Sequence, residues 1–311
     1  VRAVWSSSCI LRRLDRNRGG KIMINKFRLS ANVYERENDK ERENVQKIIF
    51  LSVEGNKTEK EYFEGISRYR ERLGITSKVD VEVLKRHRKD TNSAPQQVVE
   101  LLEEYLRLRE IGDEDLVKEI PKEFVEHYGI QFIKNYLENP NNIPKHERNE
   151  FNTELQKIGY NASYRKYLRK YNHNLDEFAI LIDRDVQTHS EVNKESIVSY
   201  CRKKKYQCYI ANPCFEFWLL LHLSDVKIEY SKELDKIKEN AKVSKSHTFV
   251  SKEVSNKVNH GKRGIHFERN YLPYVDTAID RAKNFSSDEF ELIHNIGCNI
   301  WKMLENMKKF I

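Results

Sequence analysis

The sequence predicts an α/β fold in which a mostly parallel sheet is flanked by helices, with a helical insertion and a helical C-terminal region. Short apolar runs of strand length alternate with segments of helical spacing, which is the pattern of parallel strands joined by crossover helices. Most of these runs lack polar alternation, as strands do when both of their faces are covered. No run approaches the roughly 20 apolar residues that a membrane-spanning helix needs.

Four strands are predicted, and each is followed by polar residues. The candidates are residues 48–51, 79–84, 178–182 and 206–210. The second alternates apolar with acidic residues, which predicts an edge or half-exposed strand. The third is a continuous apolar run, which predicts a parallel strand buried on both faces.

Helix starts and apolar faces complete the secondary-structure prediction. Thr58 and Glu61 have the spacing of a capping box and predict a helix through Ile66. Pro213 suits the start of another helix, on which Phe215, Trp218, Leu219 and His222 share one face. An aromatic stripe of this kind is typical of a core, so we expect His222 to be a core histidine with its hydrogen bonds satisfied. Residues 272–282 and 300–307 are amphipathic.

The predicted domain organisation has three parts. Residues 1–46 form a disordered or charged lead-in, 47–223 an α/β domain with a helical insertion at 112–175, and 224–311 a helical C-terminal region. The first methionine is Met23, so we expect translation to start there and residues 1–22 to be upstream sequence read in frame or an extension. The alternative is a genuine disordered basic arm.

Charge and cysteine content narrow the class of protein. The 311 residues are 33% charged, with a mean hydropathy of -0.77, a net charge of +8 and a pI near 9.0. That balance favours a polyanionic partner, above all nucleic acid. The alternative is a basic protein that binds no such partner. The five cysteines are odd in number and contain no C-x-x-C pair, which favours a reducing cytosol over a disulfide framework or a common zinc site.

Two acids directly follow the third strand. Asp183 and Asp185 are two positions apart, so in an extended chain their side chains point the same way. Open α/β sheets bind ligands at the carboxyl ends of their strands. Two close carboxylates repel unless a cation or a proton lies between them, and Mg²⁺ prefers carboxylate oxygens. The alternative is a solvated pair of acids in a turn.

Two further acids share this structural position. Glu54 follows the first strand, next to Gly55, which permits a sharp turn, and Glu216 lies in the first turn of the helix after the fourth strand. Because carboxyl ends of parallel strands meet at one edge of a sheet, the sequence predicts that these acids converge with Asp183 and Asp185. This convergence favours a metal site more than any single acid does.

Two basic runs leave alternatives open. Residues 85–89 include Arg86, Arg88 and Lys89, which form either a solvated face or contacts to phosphate. Residues 202–205 are all basic and end a predicted helix. Either the helix dipole, which favours cations at this end, or a contact to nucleic acid explains them.

Three segments together resemble a known family. They are Val53-Glu54-Gly55 with Thr58-Glu59 and Tyr62-Phe63, then Ile182-Asp183-Arg184-Asp185, and then the segment from Asn212-Pro213-Cys214-Phe215-Glu216 to His222. They resemble the RloB-like family, which includes the abortive-infection protein AbiLii and is similar to the Toprim domain of topoisomerases, primases and OLD-type nucleases. The resemblance covers roughly residues 48–223 and, more weakly, residues 300–307.

The resemblance implies a Mg²⁺- or Mn²⁺-dependent endonuclease that acts in bacterial phage defence. By its pattern Glu54 is a metal ligand or general acid/base, Asp183 and Asp185 are metal ligands, and Glu216 is a further ligand. Arg86, Arg88 and Lys89 are candidates to hold a nucleic-acid backbone, either DNA or RNA. An AAA/ABC-type ATPase encoded nearby is the expected partner, and homo-oligomer formation stays open. The alternative is a non-catalytic nucleic-acid-binding or sensor module on a Toprim fold.

Overall fold

The structure of the chain is a computed structural model that describes residues 45–55, 57–84, 94–110, 120, 122–138, 140–157, 175–184, 191–258 and 265–310. Almost all of the predicted lead-in lies outside these residues. Three of the predicted site residues near the second strand, Arg86, Arg88 and Lys89, also lie outside them, as does Asp185.

The described residues form a mixed α/β fold, as predicted. The strands are β1 (Lys47–Val53), β2 (Val79–Val83), β3 (Glu177–Asp183), β4 (Gln207–Asn212) and β5 (Gly297–Cys298). The α-helices are α1 (Thr58–Arg68), α2 (Pro95–Glu110), α3 (Lys122–Tyr128), α4 (Ile130–Glu138), α5 (Lys145–Lys157), α6 (Glu191–Lys204), α7 (Phe215–Leu223), α8 (Val226–Glu229), α9 (Leu234–Glu239), α10 (Phe249–Lys257), α11 (Phe267–Asn270), α12 (Val275–Ala282), α13 (Glu291–His294) and α14 (Ile300–Lys309). Short 3₁₀ helices cover Arg70–Leu73, Pro140–Asn142 and Leu272–Tyr274. None of the described helices is long and apolar enough to cross a membrane.

The strands form one sheet in the order β2-β1-β3-β4-β5. The first four strands are parallel to one another, and β5 is antiparallel to β4. The carboxyl ends of β1 to β4 therefore lie at the same edge, which is the geometry that the converging acids require. The strand β5 was not predicted, because a two-residue strand carries no periodic signal in the sequence.

Alternating side chains of the central strands enter two separate cores. Leu51 and Leu181 point to one face, where α1, α7, α10, α12 and α14 pack, while Phe50 and Ile180 point to the other. The second face is covered by α2, α6 and the helices of the predicted insertion, α3 to α5. Burial on both faces explains why the strands appear in the sequence as continuous apolar runs.

The predicted position of β2 at the edge of the sheet is confirmed, but the prediction that it is half-exposed is wrong. All five of its residues are buried, and Asp80 and Glu82 are only 5% and 7% exposed. The carboxylate of Asp80 lies 3.6 Å from the guanidinium of Arg70, in the 3₁₀ helix after α1. Local partners of this kind allow an acid to be buried, which the alternation of residue types alone does not reveal.

Buried amide side chains join the C-terminal region to β4. Asn299 accepts a hydrogen bond from the N–H of Ile210 at 2.7 Å and donates one to the carbonyl of Cys208 at 2.9 Å. Asn212, the last residue of β4, donates to the carbonyl of Leu292 at 2.7 Å. Each broken bond would leave a buried polar group unpaired, so these contacts fix the C-terminal region against the sheet.

The predicted capping box at the start of α1 is wrong. The helix begins at Thr58 itself, Lys57 is the N-cap, and no side chain caps it. The carboxylate of Glu61 instead accepts a hydrogen bond from the N–H of Ile265, 2.9 Å away in the C-terminal region. Glu61 therefore bonds to a residue far along the chain and does not form the local cap that its spacing predicts.

The contact of α1 with the C-terminal region yields a stability prediction. A methyl group on Gly65 would lie 2.3 Å from Cγ of Phe267. We therefore expect Gly65→Ala to lower the free energy of unfolding by about 1–3 kcal/mol through overpacking, although alanine ordinarily stabilises a helix interior by ~0.5–1 kcal/mol. In a Phe267→Ala background the same substitution should cost less, because the ring atoms at 2.3 and 2.5 Å are gone and only Cβ of residue 267, at 2.7 Å, stays close. Chemical denaturation measures both; an equal cost in the two backgrounds would contradict this packing.

Candidate functional site

A crevice forms where the connections from β1 and β3 diverge. The two strands are neighbours, but the chain leaves β1 through α1 on one face of the sheet and leaves β3 through α6 on the other. Open α/β sheets bind their ligands at such a point, outside the carboxyl ends of the strands. The space between the ends of β1 and β3, called the crevice below, is therefore the candidate ligand site.

Three predicted acids lie at this edge of the sheet. Glu54 directly follows β1, Asp183 is the last residue of β3, and Glu216 is the second residue of α7, the helix after β4. All three are half-buried. Their predicted positions at strand ends are confirmed, whereas the predicted pairing of Asp183 with Asp185 lies outside the described residues.

The acids interact electrostatically. Burial is the largest cause of a pKa of Asp183 well above its usual range, and the next causes are the charges of Glu54, Glu59 and Glu216. A backbone hydrogen bond from Phe215, the first residue of α7, lowers the pKa in part. Carboxylates with this effect on one another favour a proton or a cation among them.

The thiol of Cys214 lies beside the same acids. Cys214 is buried, and its pKa is raised first by burial and then by the charges of Glu216 and Asp183. The thiol forms a hydrogen bond with Glu216, and Nδ2 of Asn240 lies 3.3 Å from its sulfur. A raised pKa keeps Cys214 in the neutral thiol form, so it adds no further negative charge to the acids.

Glu59 was not predicted as a site residue, although it belongs to the acidic cluster. It is 6% exposed, and its Oε1 accepts a hydrogen bond from the N–H of Gly55 at 3.0 Å. A signal was present in the sequence: an acid in the first turn of α1 follows an acid and a glycine at the end of β1. The spacing of Thr58 and Glu61 predicts a capping box in the same turn, and that prediction gives Glu59 no role.

A buried hydrogen bond joins His222 on α7 to Tyr62 on α1. Nε2 of His222 lies 3.0 Å from the hydroxyl of Tyr62, and its Nδ1 lies 2.9 Å from the carbonyl of Trp218. A carbonyl only accepts, so Nδ1 carries the proton and Nε2 accepts from Tyr62. Burial lowers the pKa of His222 to about 3, which keeps it neutral. The prediction of a satisfied core histidine is confirmed.

Two buried cations lie behind the end of β3. Arg184 is 7% exposed, and its Nε donates to the carbonyl of Ile293 at 2.7 Å. Lys194, on α6, is 2% exposed and donates to the backbone carbonyl of Arg184. These contacts fix the backbone at the point where the chain leaves Asp183.

The basic run at the end of α6 lies at the opposite edge of the sheet from the acids. It immediately precedes the amino end of β4. Arg202 forms ion pairs with Glu289 at 2.6 Å and with Asp288 at 3.3 Å. A role in fixing the C-terminal region therefore accounts for Arg202, and the run does not adjoin the acidic crevice.

The donor chemistry of the crevice fits a hard divalent cation. Carboxylate oxygens are the ligands that Mg²⁺ and Mn²⁺ prefer, and a cation would relieve the repulsion among these acids. Glu54, Asp183 and Glu216 are the described residues with donor atoms of the right kind, but their side chains are not placed as a formed metal site. Within the part of the chain that the structure describes, no group of three or more His, Cys, Asp and Glu side chains is arranged to hold a metal ion.

Comparison with known families identifies the chain. A family model described as RloB-like protein matches residues 49–307. The chain belongs to the RloB-like protein family. The match confirms the family resemblance and extends it through the C-terminal region, so it spans Glu54, Glu59, Asp183 and Glu216. No curated protein and no solved structure matches the chain.

The electrostatics of the acids predict that Asp183→Asn stabilises the protein in the presence of a chelator. The unfolded carboxyl titrates near 3.8 and the folded one at a higher pH. Ionised Asp183 therefore costs no stability below the unfolded pKa, and its cost grows as the pH rises through the folded pKa. Removing the carboxylate should therefore raise the free energy of unfolding at pH 7.5.

Thermal unfolding with EDTA at pH 7.5 and at pH 3.5 checks this prediction. The advantage of Asp183→Asn over the wild type should be present at the higher pH and vanish at the lower one. Asp280→Asn is the control, because the Asp280 side chain is 78% exposed and lies away from the crevice. A variant less stable than the wild type at pH 7.5 would contradict the proposed repulsion.

Proposed function

We propose that this chain is a metal-dependent nuclease that cleaves phosphodiester bonds in nucleic acid, as the effector of a bacterial anti-phage abortive-infection system. The observation that carries the proposal is the convergence of Glu54, Asp183 and Glu216, from two neighbouring strands and the helix after β4, on one edge of the sheet, where burial and then the neighbouring acids raise the pKa of Asp183. The resemblance to the Toprim domain and membership of the RloB-like family support it.

The overall charge supports a polyanionic substrate. A net charge of +8 attracts nucleic acid, whereas the clustered acids of the crevice repel phosphate. A protein that only binds nucleic acid has no need of such a cluster. The two features are compatible when a divalent cation lies between the acids and a phosphodiester group, and this combination favours cleavage over binding alone.

Each acid has a distinct part in the proposed chemistry. When bound, the divalent cation activates water and offsets the charge that develops on the phosphate. Asp183 and Glu54, at the ends of neighbouring strands, would hold the cation, and Glu216 on α7 would be a further ligand. Arg86, Arg88 and Lys89 remain the predicted contacts to the nucleic-acid backbone.

The proposal predicts that Asp183→Asn abolishes cleavage without unfolding the protein. The substitution removes a charge that holds the cation but keeps the size and shape of the side chain. With Mg²⁺ or Mn²⁺ we expect a loss of at least about 100-fold in rate, which corresponds to ~2.7 kcal/mol of transition-state stabilisation. Cleavage of labelled duplex DNA, single-stranded DNA and tRNA measures the loss, and circular dichroism checks the fold.

Asp280→Asn should cleave like the wild type in the same assay. Full metal-dependent cleavage by Asp183→Asn would defeat the assignment of the site. If the wild type binds these nucleic acids but cleaves none of them, with either metal and with its ATPase partner present, the non-catalytic module is correct instead.

We also propose that a partner of the AAA/ABC ATPase class controls the activity. A free nuclease with a complete acid cluster would damage its own cell, so its activity must be restrained before infection. The C-terminal region supports a docking role, because it carries large apolar side chains that are exposed, namely Ile228 at 73%, Val243 at 51% and Tyr274 at 46%. Control by a partner is therefore favoured over inhibition by the helical insertion.

Control by a partner predicts that toxicity depends on the ATPase and on infection. The chain would be expressed alone and together with the neighbouring ATPase, with and without phage, and growth and nucleic-acid integrity would be followed. Arrest and cleavage should require the ATPase and phage together, and Asp183→Asn should remove both effects. Full growth arrest from this chain alone, in uninfected cells, would show that no partner is needed.

A further inference from the structure

Glu59 is bonded to the backbone of the turn that carries Glu54. Glu59 is the second residue of α1, and its Oε1 accepts the N–H of Gly55 at 3.0 Å. Gly55 is the next residue after Glu54, so this hydrogen bond ties the turn after β1 to the first turn of the helix. The side chain is buried, and a buried carboxylate loses far more than an exposed one when its partner is removed.

The glycine makes this contact possible. A methyl group at position 55 would lie 2.0 Å from Oε2 and 2.4 Å from Oε1 of Glu59. Both distances are too short for real contacts, so any other residue at this position would push the carboxylate away. The missing side chain of Gly55 leaves the space that the carboxylate of Glu59 occupies.

The carboxylate of Glu59 also lies near the crevice. Its Oε1 lies 3.0 Å from the backbone N of Gly55, the residue next to Glu54. A neighbouring acid on the same helix provides a contrast, because Glu61 accepts the N–H of Ile265, in the C-terminal region. Proximity to the crevice therefore distinguishes Glu59 from an ordinary helical glutamate.

We propose that Glu59 is a positioning residue that acts through Gly55: its hydrogen bond holds the turn after β1 so that Glu54 faces Asp183 across the crevice. The inference rests on the proposed function, because the consequence of correct positioning is tight binding of a divalent cation. Glu59 need not touch the cation itself, since it acts on Glu54 through the backbone.

Isothermal titration of the full chain with Mn²⁺ tests this role without any measurement of cleavage. Glu59→Ala should weaken Mn²⁺ binding by about tenfold or more, because the turn loses its partner. Glu59→Gln keeps an oxygen that can accept the N–H of Gly55 and should stay within about threefold of the wild type. Gly55→Ala keeps the charge of Glu59 but displaces its carboxylate, so it should match Glu59→Ala. Glu61→Ala is the matched control and should bind like the wild type.

The outcomes separate this inference from the proposed function. Wild-type affinity in both Glu59→Ala and Gly55→Ala would overturn the positioning role alone. A loss in Glu59→Gln as large as in Glu59→Ala would overturn it too, because the charge would then be what matters. If the wild type binds no Mn²⁺, the proposed function and this inference both fail. Amide hydrogen exchange at Gly55, faster in Glu59→Ala than in Glu61→Ala, verifies in folded protein that the turn has been released.

Discussion

Repulsion among carboxylates at one edge of a parallel sheet is the constraint on which the rest of this structure depends. A parallel sheet places the ends of its strands together, and here two neighbouring strands and the helix after a third each contribute an acid there. Burial first, and then the charges of Glu54, Glu59 and Glu216, raise the pKa of Asp183, so the folded chain holds this carboxylate at an electrostatic cost. Such costs are typical of sites whose chemistry needs the charges in place.

The surrounding structure supplies the stability that keeps the acids together. Both faces of the central strands are buried, and hydrogen bonds from Asn299, Asn212 and Arg184 tie the C-terminal region to β4 and to the end of β3. The aromatic side chains under α1 and α7 fix the two helices that carry Glu59 and Glu216. The C-terminal region is therefore part of the support for the crevice, which agrees with a family match that continues to residue 307.

Much of the fold and part of the site could be predicted from the sequence, because local patterns carry that information. Continuous apolar runs predicted β1 and β3, and residues directly after them could be placed at one edge of the sheet. What could not be predicted depends on contacts between distant residues. Glu61 bonds to Ile265 and makes no cap, Asp80 is buried beside Arg70, and β5 is defined only by its pairing with β4. The position of Glu59 depends on the space left by Gly55, which no periodicity encodes.

The central claim is that the crevice between β1 and β3 binds a divalent cation, and anomalous diffraction from crystals soaked in Mn²⁺ tests it most directly. The account predicts an anomalous peak at the carboxyl ends of these strands, in contact with the carboxylates of Asp183 and Glu54. No peak at saturating Mn²⁺, or peaks only at other places on the protein, would contradict it.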